Sequence, residues 1–264
     1  MEDKVLVSVR ARPLIRREID AGDKKNWACK KNVIQACHPG TKTVTGNPFN
    51  FDRVFGEDKS TSEIYNQVVS QIVEKSLQGY NGTVMCYGQT SSGKTHTLYG
   101  CDKEPGIISL TAQHLFELIR NDETRMYYIR VGLLEVYNEK VSDLLNNGSL
   151  VEIQERNKVV APTDLKEIEV VSAEEMLNAA KIVQAKRKIG ETKLNKQSSR
   201  SHTILRILIE SVPNDEDAQD EGEQIQVTNA LLNFVDLAGS EKANQTGAAG
   251  ERFKEATFIN KSLS

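Results

Sequence analysis

The amino-acid sequence predicts an α/β fold in which helices cover a central sheet in three layers. Stretches with the two-residue period of strands interleave with stretches of helical period along the chain. A glycine-rich loop over residues 88–95 also follows a strand-like segment, as it does in strand–loop–helix units. No repeat and no linker interrupts this pattern, so residues 1–264 are expected to form one domain.

The strand predictions rest on apolar residues in alternating positions or in short continuous runs. Val5, Val7 and Val9 fall on one side of a strand Lys4–Arg10, which Pro13 then terminates. Continuous apolar runs predict strands that are covered on both faces. The other predicted strands are Val33–Ala36, Gly82–Tyr87, Tyr127–Tyr137, Thr203–Ser211 and Ala230–Asp236.

The helix predictions begin with Ser60 and Glu63, which have the spacing of a capping box. Ile64, Val68 and Ile72 then recur at helical spacing until Gly79, where a stop is expected. Further predicted helices are Leu110–Arg120, a short piece at Val141–Leu145, and one opened by Ser172 and Glu175 that runs through Val183.

Composition and charge exclude several classes of protein. No apolar run reaches the length of a membrane span, and Met1–Lys4 shows no signal-peptide pattern, so no membrane partner is expected. The four cysteines lack metal-site or disulfide spacing and predict reduced thiols in the cytosol or nucleus. The net charge of −3 argues against nucleic acid as a partner. Pro213–Gln224 is acidic and predicts a solvated loop.

The loop at residues 88–95 fits the phosphate-binding pattern G-x-x-x-x-G-K-[ST]. Its glycines allow a tight backbone turn whose N–H groups point into one anion-binding hollow. The lysine can reach the β- and γ-phosphates, and the final hydroxyl can bind Mg²⁺. The loop residues are Gly88, Gln89, Thr90, Ser91, Ser92, Gly93, Lys94 and Thr95.

Two later motifs suit the same chemistry. The strand Ala230–Asp236 ends in a carboxylate, which is the arrangement that places an acid near Mg²⁺ in phosphate-loop enzymes. Gly239 lies three residues after Asp236. Because glycine has no side chain, the backbone N–H can approach a γ-phosphate closely there. Asn195–His202 gathers small hydroxyl and amide side chains around Arg200, a composition that can coordinate Mg²⁺ and order water.

GQTSSGKT, NKQSSRSH and DLAGSE occur in the order and rough spacing of the kinesin motor domain, which this chain resembles over essentially its whole length. Arg10–Pro13, Gly79–Thr83 and Gly247–Gly250 are also similar to that family. Glu191–Ser211 and Asn244–Leu263 look closest to its centromere-associated, kinesin-7 branch.

The resemblance implies a fold, an activity and a role for each motif residue. The fold would be that of phosphate-loop NTPases, with a mixed, mostly parallel sheet and helices on both faces. The activity would be a microtubule-stimulated ATPase with ATP and Mg²⁺ as ligands. The resemblance implies that Arg12, Pro13 and His96 flank the adenine, and that Thr95, Ser199 and Asp236 hold Mg²⁺, the last of them through water. It implies that the Gly239 N–H senses the γ-phosphate. It also implies that Arg200 and Glu241 form a salt bridge that closes the site, and that Ser198 helps to hold the attacking water.

Guanine specificity is disfavoured by the residues themselves. Guanine-specific enzymes commonly use N/T-K-x-D, whose carboxylate accepts hydrogen bonds from the base. The Asn-Lys pairs at Asn157, Asn195 and Asn260 are not followed by that Asp, which favours ATP.

The resemblance implies the microtubule as polymer partner, in the cytoplasm on the cytoskeleton. The branch similarity adds the spindle and kinetochore and a role in mitotic chromosome transport. Attraction of basic side chains to the acidic microtubule surface should weaken with salt. The candidate contacts are Lys242, Arg252, Lys254 and Lys261, with Arg156 and Lys158 in the loop expected after Leu150.

The family's motor domain continues past Ser264 with further helices, one strand and the neck linker, so the chain is expected to be a truncated motor domain. Homodimerisation would then depend on regions outside this chain. Two alternatives stay open: a non-motile nucleotide- or tubulin-binding fragment, and an unrelated phosphate-loop ATPase or GTPase.

Overall fold

A computed structural model of the chain describes residues 5–156, 159–192, 200–214 and 226–241. The chain divides into two compact units, Met1–Val68 and Val69–Ser264. One domain over residues 1–264 stays a prediction.

The first unit is built from short strands around two small helices. β1 pairs in parallel with β5, whereas β2, β3 and β4 form an antiparallel sheet in that order. The elements are β1 (Ser8–Arg10), α1 (Arg16–Asp20), β2 (Trp27–Lys30), β3 (Val33–Ala36), β4 (Phe49–Asn50), β5 (Arg53–Phe55) and α2 (Thr61–Ile64). The predicted strand Lys4–Arg10 is therefore shorter than expected, because the ladder to β5 begins only at Ser8.

A helical stretch connects the two units. α2 is followed by a π-helical turn, Tyr65–Val69, and by α3 (Ser70–Leu77). The predicted capping box is present, since Ser60 Oγ accepts from the Glu63 N–H and the Glu63 carboxylate accepts from the Ser60 N–H. Gly79 has a φ of +91° just beyond the helix, which confirms the expected stop.

The second unit is organised on a mixed sheet. Its described strands run in the order β11-β10-β9-β15-β16-β6, with β14 also paired to β9. The elements are β6 (Gly82–Cys86), α4 (Lys94–Tyr99), β7 (Gly100–Cys101), β8 (Glu104–Pro105), α5 (Ile107–Asn121), β9 (Arg125–Tyr137), β10 (Lys140–Asp143), β11 (Ser149–Leu150), β12 (Ile153–Arg156), β13 (Val159–Pro162), β14 (Glu167–Glu169), α6 (Ala173–Thr192), β15 (His202–Pro213) and β16 (Thr228–Asp236).

The strand directions correct one part of the predicted fold. Within the described part of this sheet only β16 and β6 are parallel neighbours, and every other pairing is antiparallel. The expected mostly parallel sheet is therefore wrong for these strands. A parallel pair needs a long crossover, whereas β9 returns directly into β10 through a two-residue turn.

That turn also explains a wrong helix prediction at Val141–Leu145. Asn138 and Glu139 both have positive φ, 51° and 59°, as a type I′ hairpin turn requires. Residues 140–143 therefore continue as strand β10. β12 pairs in antiparallel fashion with β13, so Arg156 ends a strand instead of lying in a loop.

The described helices of the second unit lie on one face of the sheet. α3 and α4 contact both α5 and the strands β6 and β16, and α6 packs on α5 and β9. Buried residues such as Leu205, Ile207 and Phe234 alternate with half-buried ones such as Arg206. These strands are therefore buried on one face, and not on both faces as predicted. The second helix layer stays a prediction. Within the described ranges, no helix is long and apolar enough to cross a membrane.

Candidate nucleotide site

The site lies where two neighbouring parallel strands end. β6 and β16 are in register, with Cys86 beside Asp236. β6 then leads into the glycine-rich loop, and β16 leads into Leu237–Glu241. Because parallel strands finish at the same edge of a sheet, the two motifs meet there.

The loop is wound tightly before helix α4 begins. Gly88, Ser91 and Gly93 have φ values of 152°, 65° and 99°, and the Ser92 N–H donates to Gln89 O at 3.1 Å. Gly93 in the left-handed conformation caps α4. Lys94 folds back along the loop, and its ammonium donates to Gly88 O at 2.8 Å and to Gln89 O at 3.0 Å. The positive charge therefore lies against the backbone carbonyls at the start of the loop.

Thr95 and Asp236 are brought together as the sequence analysis expects of a shared Mg²⁺ site. Thr95 Oγ1 donates to Asp236 Oδ2 at 2.7 Å, and Asp236 is only 1% exposed. A hydroxyl beside a buried carboxylate offers the oxygen ligands that Mg²⁺ prefers. Among the described residues, no group of three His, Cys, Asp or Glu side chains is placed for a metal.

Glu241 reaches across to the phosphate loop. Its carboxylate accepts the Thr90 N–H at 2.8 Å and also the Thr90 hydroxyl. Partial burial alone would raise the pKa of Glu241, but the hydrogen bonds from the Thr90 side chain and backbone outweigh it and lower that pKa. The loop thus holds a carboxylate on one of its N–H groups, which shows that it can bind an anion.

Gly239 lies packed between these groups. A Cβ at this position would overlap both the Glu241 carboxylate and the Thr90 hydroxyl. The neighbouring N–H groups are engaged: Leu237 donates to Cys86 O at 3.3 Å, and Ser240 donates to Gly88 O at 3.2 Å. The N–H of buried Gly239 has no hydrogen-bond partner among the described residues. Buried N–H groups are almost always bonded, so this one points to a ligand.

His202 connects the start of β15 to the same segment. Its Nδ1 accepts the Ala238 N–H at 3.0 Å, with His202 7% exposed and Ala238 fully buried. Burial lowers the pKa of His202, and the charge of Lys94 acts in the same direction while that of Asp236 opposes it. An accepting Nδ1 requires a neutral ring with its proton on Nε2.

The remaining predicted residues are placed as follows. Arg200 is half-buried just before β15. Arg12 belongs to the first unit, where its guanidinium makes a bidentate ion pair with Glu18 at 2.6 and 2.8 Å and also donates to Pro13 O. His96 lies on α4, 3.9 Å from the Glu104 carboxylate. The roles given to these residues stay predictions.

Several predicted residues lie outside the described part of the chain. They are Ser198, Ser199, Lys158, Lys242, Arg252, Lys254 and Lys261, together with the side chain of Arg156.

Two contacts at this site were missed by sequence reasoning. The phosphate loop predicted a phosphate-binding role for Thr90, but nothing in its motif indicated that it also bonds Glu241. His202 was noted only as the last residue of its motif. His202 stands at the start of β15, which lies beside the strand that ends in Asp236, and this position could have indicated its role. The order of strands in a sheet, however, cannot be predicted from one sequence.

Comparisons with known proteins agree with this geometry. The family model described as "Kinesin motor domain" matches residues 10–264. The chain is 41% identical over 268 residues to centromere-associated protein E from Homo sapiens, covering 99% of this chain and 10% of that protein. It is also 41% identical over 268 residues to kinesin-like protein KIN-7O from Arabidopsis thaliana, covering 99% of this chain and 20% of that protein. The chain therefore spans between a tenth and a fifth of these relatives.

Two solved structures share the fold. One, described as a fast kinesin, superposes with a TM-score of 0.83 at 31% identity and covers 97% of this chain and 71% of that chain. The other, a KIF14 dimer with AMP-PNP in complex with a microtubule, gives a TM-score of 0.84 at 28% identity and covers 100% and 75%. The predicted α/β fold with a mixed sheet is confirmed by these similarities.

Proposed function

The chain belongs to the kinesin motor domain family, and on this basis we propose that it binds and hydrolyses ATP with Mg²⁺ as part of a microtubule motor. The observation that carries the proposal is the meeting of the phosphate loop with the segment after β16. A loop N–H already holds a carboxylate there, a hydroxyl meets a buried acid, and a glycine N–H is left over.

The described residues fit a nucleoside triphosphate with its metal. The loop N–H groups and Lys94 would hold the phosphates, and Thr95 with Asp236 would hold Mg²⁺, joined by Ser199 as the family resemblance implies. Bound Mg²⁺ supplies neutralisation of the phosphate charge during transfer. The N–H of Gly239 would bond the γ-phosphate, which ADP lacks.

Glu241 is proposed to change partner when the site closes. Its bond to Thr90 occupies a loop N–H that a phosphate oxygen would take, so phosphate binding releases the carboxylate. The freed carboxylate then pairs with Arg200 and positions the attacking water with Ser198. Such nucleotide-dependent rearrangements are a known switching device.

The Glu241→Ala variant tests this exchange. We expect ATP affinity to rise by no more than about threefold, because the variant lacks the carboxylate that competes with phosphate for the Thr90 N–H. We expect turnover to fall by about a hundredfold, because the water is no longer positioned. Single-turnover hydrolysis and equilibrium binding separate the two effects, and wild-type turnover by Glu241→Ala would contradict the role of the carboxylate.

ATP turnover of the chain, with and without microtubules, tests the proposed function as a whole. Stimulation by microtubules supports a motor domain whose track-binding surface is present. Basal turnover without stimulation favours the second candidate, a non-motile nucleotide-binding fragment. Lys94→Ala is the control, because loss of its ammonium should weaken nucleotide binding and abolish turnover. A clear preference for GTP would overturn ATP as the proposed nucleotide.

A role in mitotic chromosome transport, at the spindle and kinetochore, is proposed from the 41% identity to centromere-associated protein E. The microtubule is the proposed partner, as in the KIF14 complex. The test is to localise the full protein in dividing cells by fluorescence microscopy. Its absence from kinetochores throughout mitosis would overturn the proposed mitotic role.

A further inference from the structure

His202 is held by the sheet at the point where the two motifs of the site meet. β15 pairs with β16 on one side and β9 on the other, with Thr203 beside Asp236 and His202 beside Val136. Both neighbours are long strands with continuous register, so the imidazole starts from a fixed backbone position. The ring is buried, which leaves it little freedom to turn.

The imidazole fixes one peptide in the segment that follows Asp236. Ala238 donates its N–H to Nδ1 at 3.0 Å. On either side, Leu237 is bonded to the end of β6 and Ser240 to the phosphate loop. Among the four successive residues 237–240, three thus donate their N–H groups to fixed acceptors. The remaining N–H, that of Gly239, has no partner among the described residues.

We propose that His202 is a positioning residue: it holds the Leu237–Ala238 peptide, and thereby the Ala238–Gly239 peptide that follows, so that the Gly239 N–H meets the γ-phosphate. In this way it sets the preference of the site for triphosphate over diphosphate. The inference rests on the proposed function. The N–H groups on either side of these two peptides are held independently of His202, since Leu237 donates to Cys86 O and Ser240 donates to Gly88 O. Once the Leu237–Ala238 peptide is released from His202, rotation about the Ala238 backbone would turn the Gly239 N–H away from the phosphate.

The test compares His202→Leu with His202→Asn. Leucine fills a similar volume but offers no acceptor, whereas the Asn side-chain oxygen can lie near the place of Nδ1. We expect His202→Leu to weaken binding of the non-hydrolysable triphosphate AMP-PNP by about tenfold, as loss of one hydrogen bond would. We expect ADP affinity to stay within about twofold, and His202→Asn to restore most of the AMP-PNP affinity.

The outcomes separate this inference from the proposed function. Equal weakening of ADP and AMP-PNP by His202→Leu would indicate a merely structural residue and overturn the inference. Unchanged affinities for both nucleotides in His202→Leu would overturn the inference as well and would leave the proposed function intact. If the wild-type chain binds neither nucleotide, the proposed function fails and the inference with it.

A measurement on the wild-type chain guards against variants that do not fold. Long-range ¹H–¹⁵N spectra report which ring nitrogen of each histidine carries the proton. We expect the buried histidine to be protonated on Nε2 with Nδ1 as acceptor. A proton on Nδ1 would be incompatible with the Ala238 bond and would overturn the inference without any substitution.

Discussion

At the scale of single residues, the hydroxyl of Thr95 is the link between helix α4 and the end of strand β16. It donates to Asp236 at 2.7 Å although the two residues are 141 positions apart in the chain. The bond holds these two oxygen groups together, which would reduce the reorganisation that the proposed Mg²⁺ binding requires.

Thr95→Val and Thr95→Ser test this arrangement. Valine matches threonine in shape but lacks the hydroxyl, so we expect Mg²⁺-dependent binding of ATP to weaken by about ten- to a hundredfold. Serine keeps the hydroxyl and should bind within a few-fold of wild type. Titration of Mg²⁺ at fixed ATP measures both variants. Equal apparent Mg²⁺ affinity for Val and Ser would contradict the ligand role of Thr95.

The residues of the site show how far sequence alone could predict it. The glycine-rich loop, Asp236 and Gly239 carry local patterns, and the structure brings them to one edge of the sheet. The partners of Glu241 and His202 depend on side-chain directions that no motif encodes. Thr90 and Ala238 were therefore not predicted as their hydrogen-bond donors.

At the scale of elements, the start of the helical stretch after Ser60 shows that a capping box can be predicted correctly from local sequence alone. The capping box needs only three successive peptide units, and it forms as predicted. The Ser60 N–H, with Lys59 and the Ser60 hydroxyl adding to its effect, lowers the pKa of Glu63 to about 2. A carboxyl with a lowered folded pKa stabilises the fold above its unfolded pKa, and this contribution is lost as the pH falls through the folded pKa.

Glu63→Gln should therefore differ from wild type in a pH-dependent way. We expect the wild-type chain to be the more stable at neutral pH, and the difference to shrink between about pH 4.5 and pH 2 as Glu63 is protonated. Urea unfolding at a series of pH values measures it. Glu74→Gln, at an exposed glutamate on the same helical stretch, is the matched control for the loss of one negative charge. A difference in unfolding free energy between wild type and Glu63→Gln that stays constant with pH would contradict the lowered pKa of Glu63.

Hairpins are the elements that the sequence predicted least well. Asn138-Glu139 forms a primed turn without the glycine that usually marks one, so its signal was weak. Val141–Leu145 then has apolar residues that suit a helix as well as a strand, and pairing with β9 decides between them. Tertiary pairing overrides local preference in this way wherever a short segment lies beside a long strand.

The core of the sheet gives a second element-scale prediction. Phe234 on β16 is fully buried beneath the helices, whereas Met85 on the adjacent strand β6 is 58% exposed. We expect Phe234→Ala to lower the free energy of unfolding by about 3–5 kcal/mol, since it leaves a cavity. The matched Met85→Ala change should cost less than about 1 kcal/mol. Similar losses in both variants would show that this sheet face is not the core.

At the scale of the whole molecule, the residues that carry the proposed function are distributed unevenly over the two compact units. The phosphate loop, Asp236 and Gly239–Glu241 belong to the second unit, and Arg12 and Pro13 belong to the first. Arg12 is bonded to Glu18, and this bond lowers the pKa of Glu18 to about 2. The Arg12 guanidinium is therefore paired with a carboxylate of its own unit, and the residues proposed to bind phosphate all belong to the second unit.

Mg-ATP should accordingly stabilise the second unit most. A ligand at a hundred times its dissociation constant adds about 2.7 kcal/mol to the unfolding free energy of the structure that it binds. We expect slower amide hydrogen exchange in β6, α4, β15 and β16 when Mg-ATP is added, and a higher unfolding temperature. Lys94→Ala at the same ATP concentration is the control, because its weaker binding should remove most of the protection. Protection by Mg-ATP that persists unchanged in Lys94→Ala would mean that the nucleotide binds elsewhere, since the ammonium of Lys94 lies against the carbonyls of the phosphate loop.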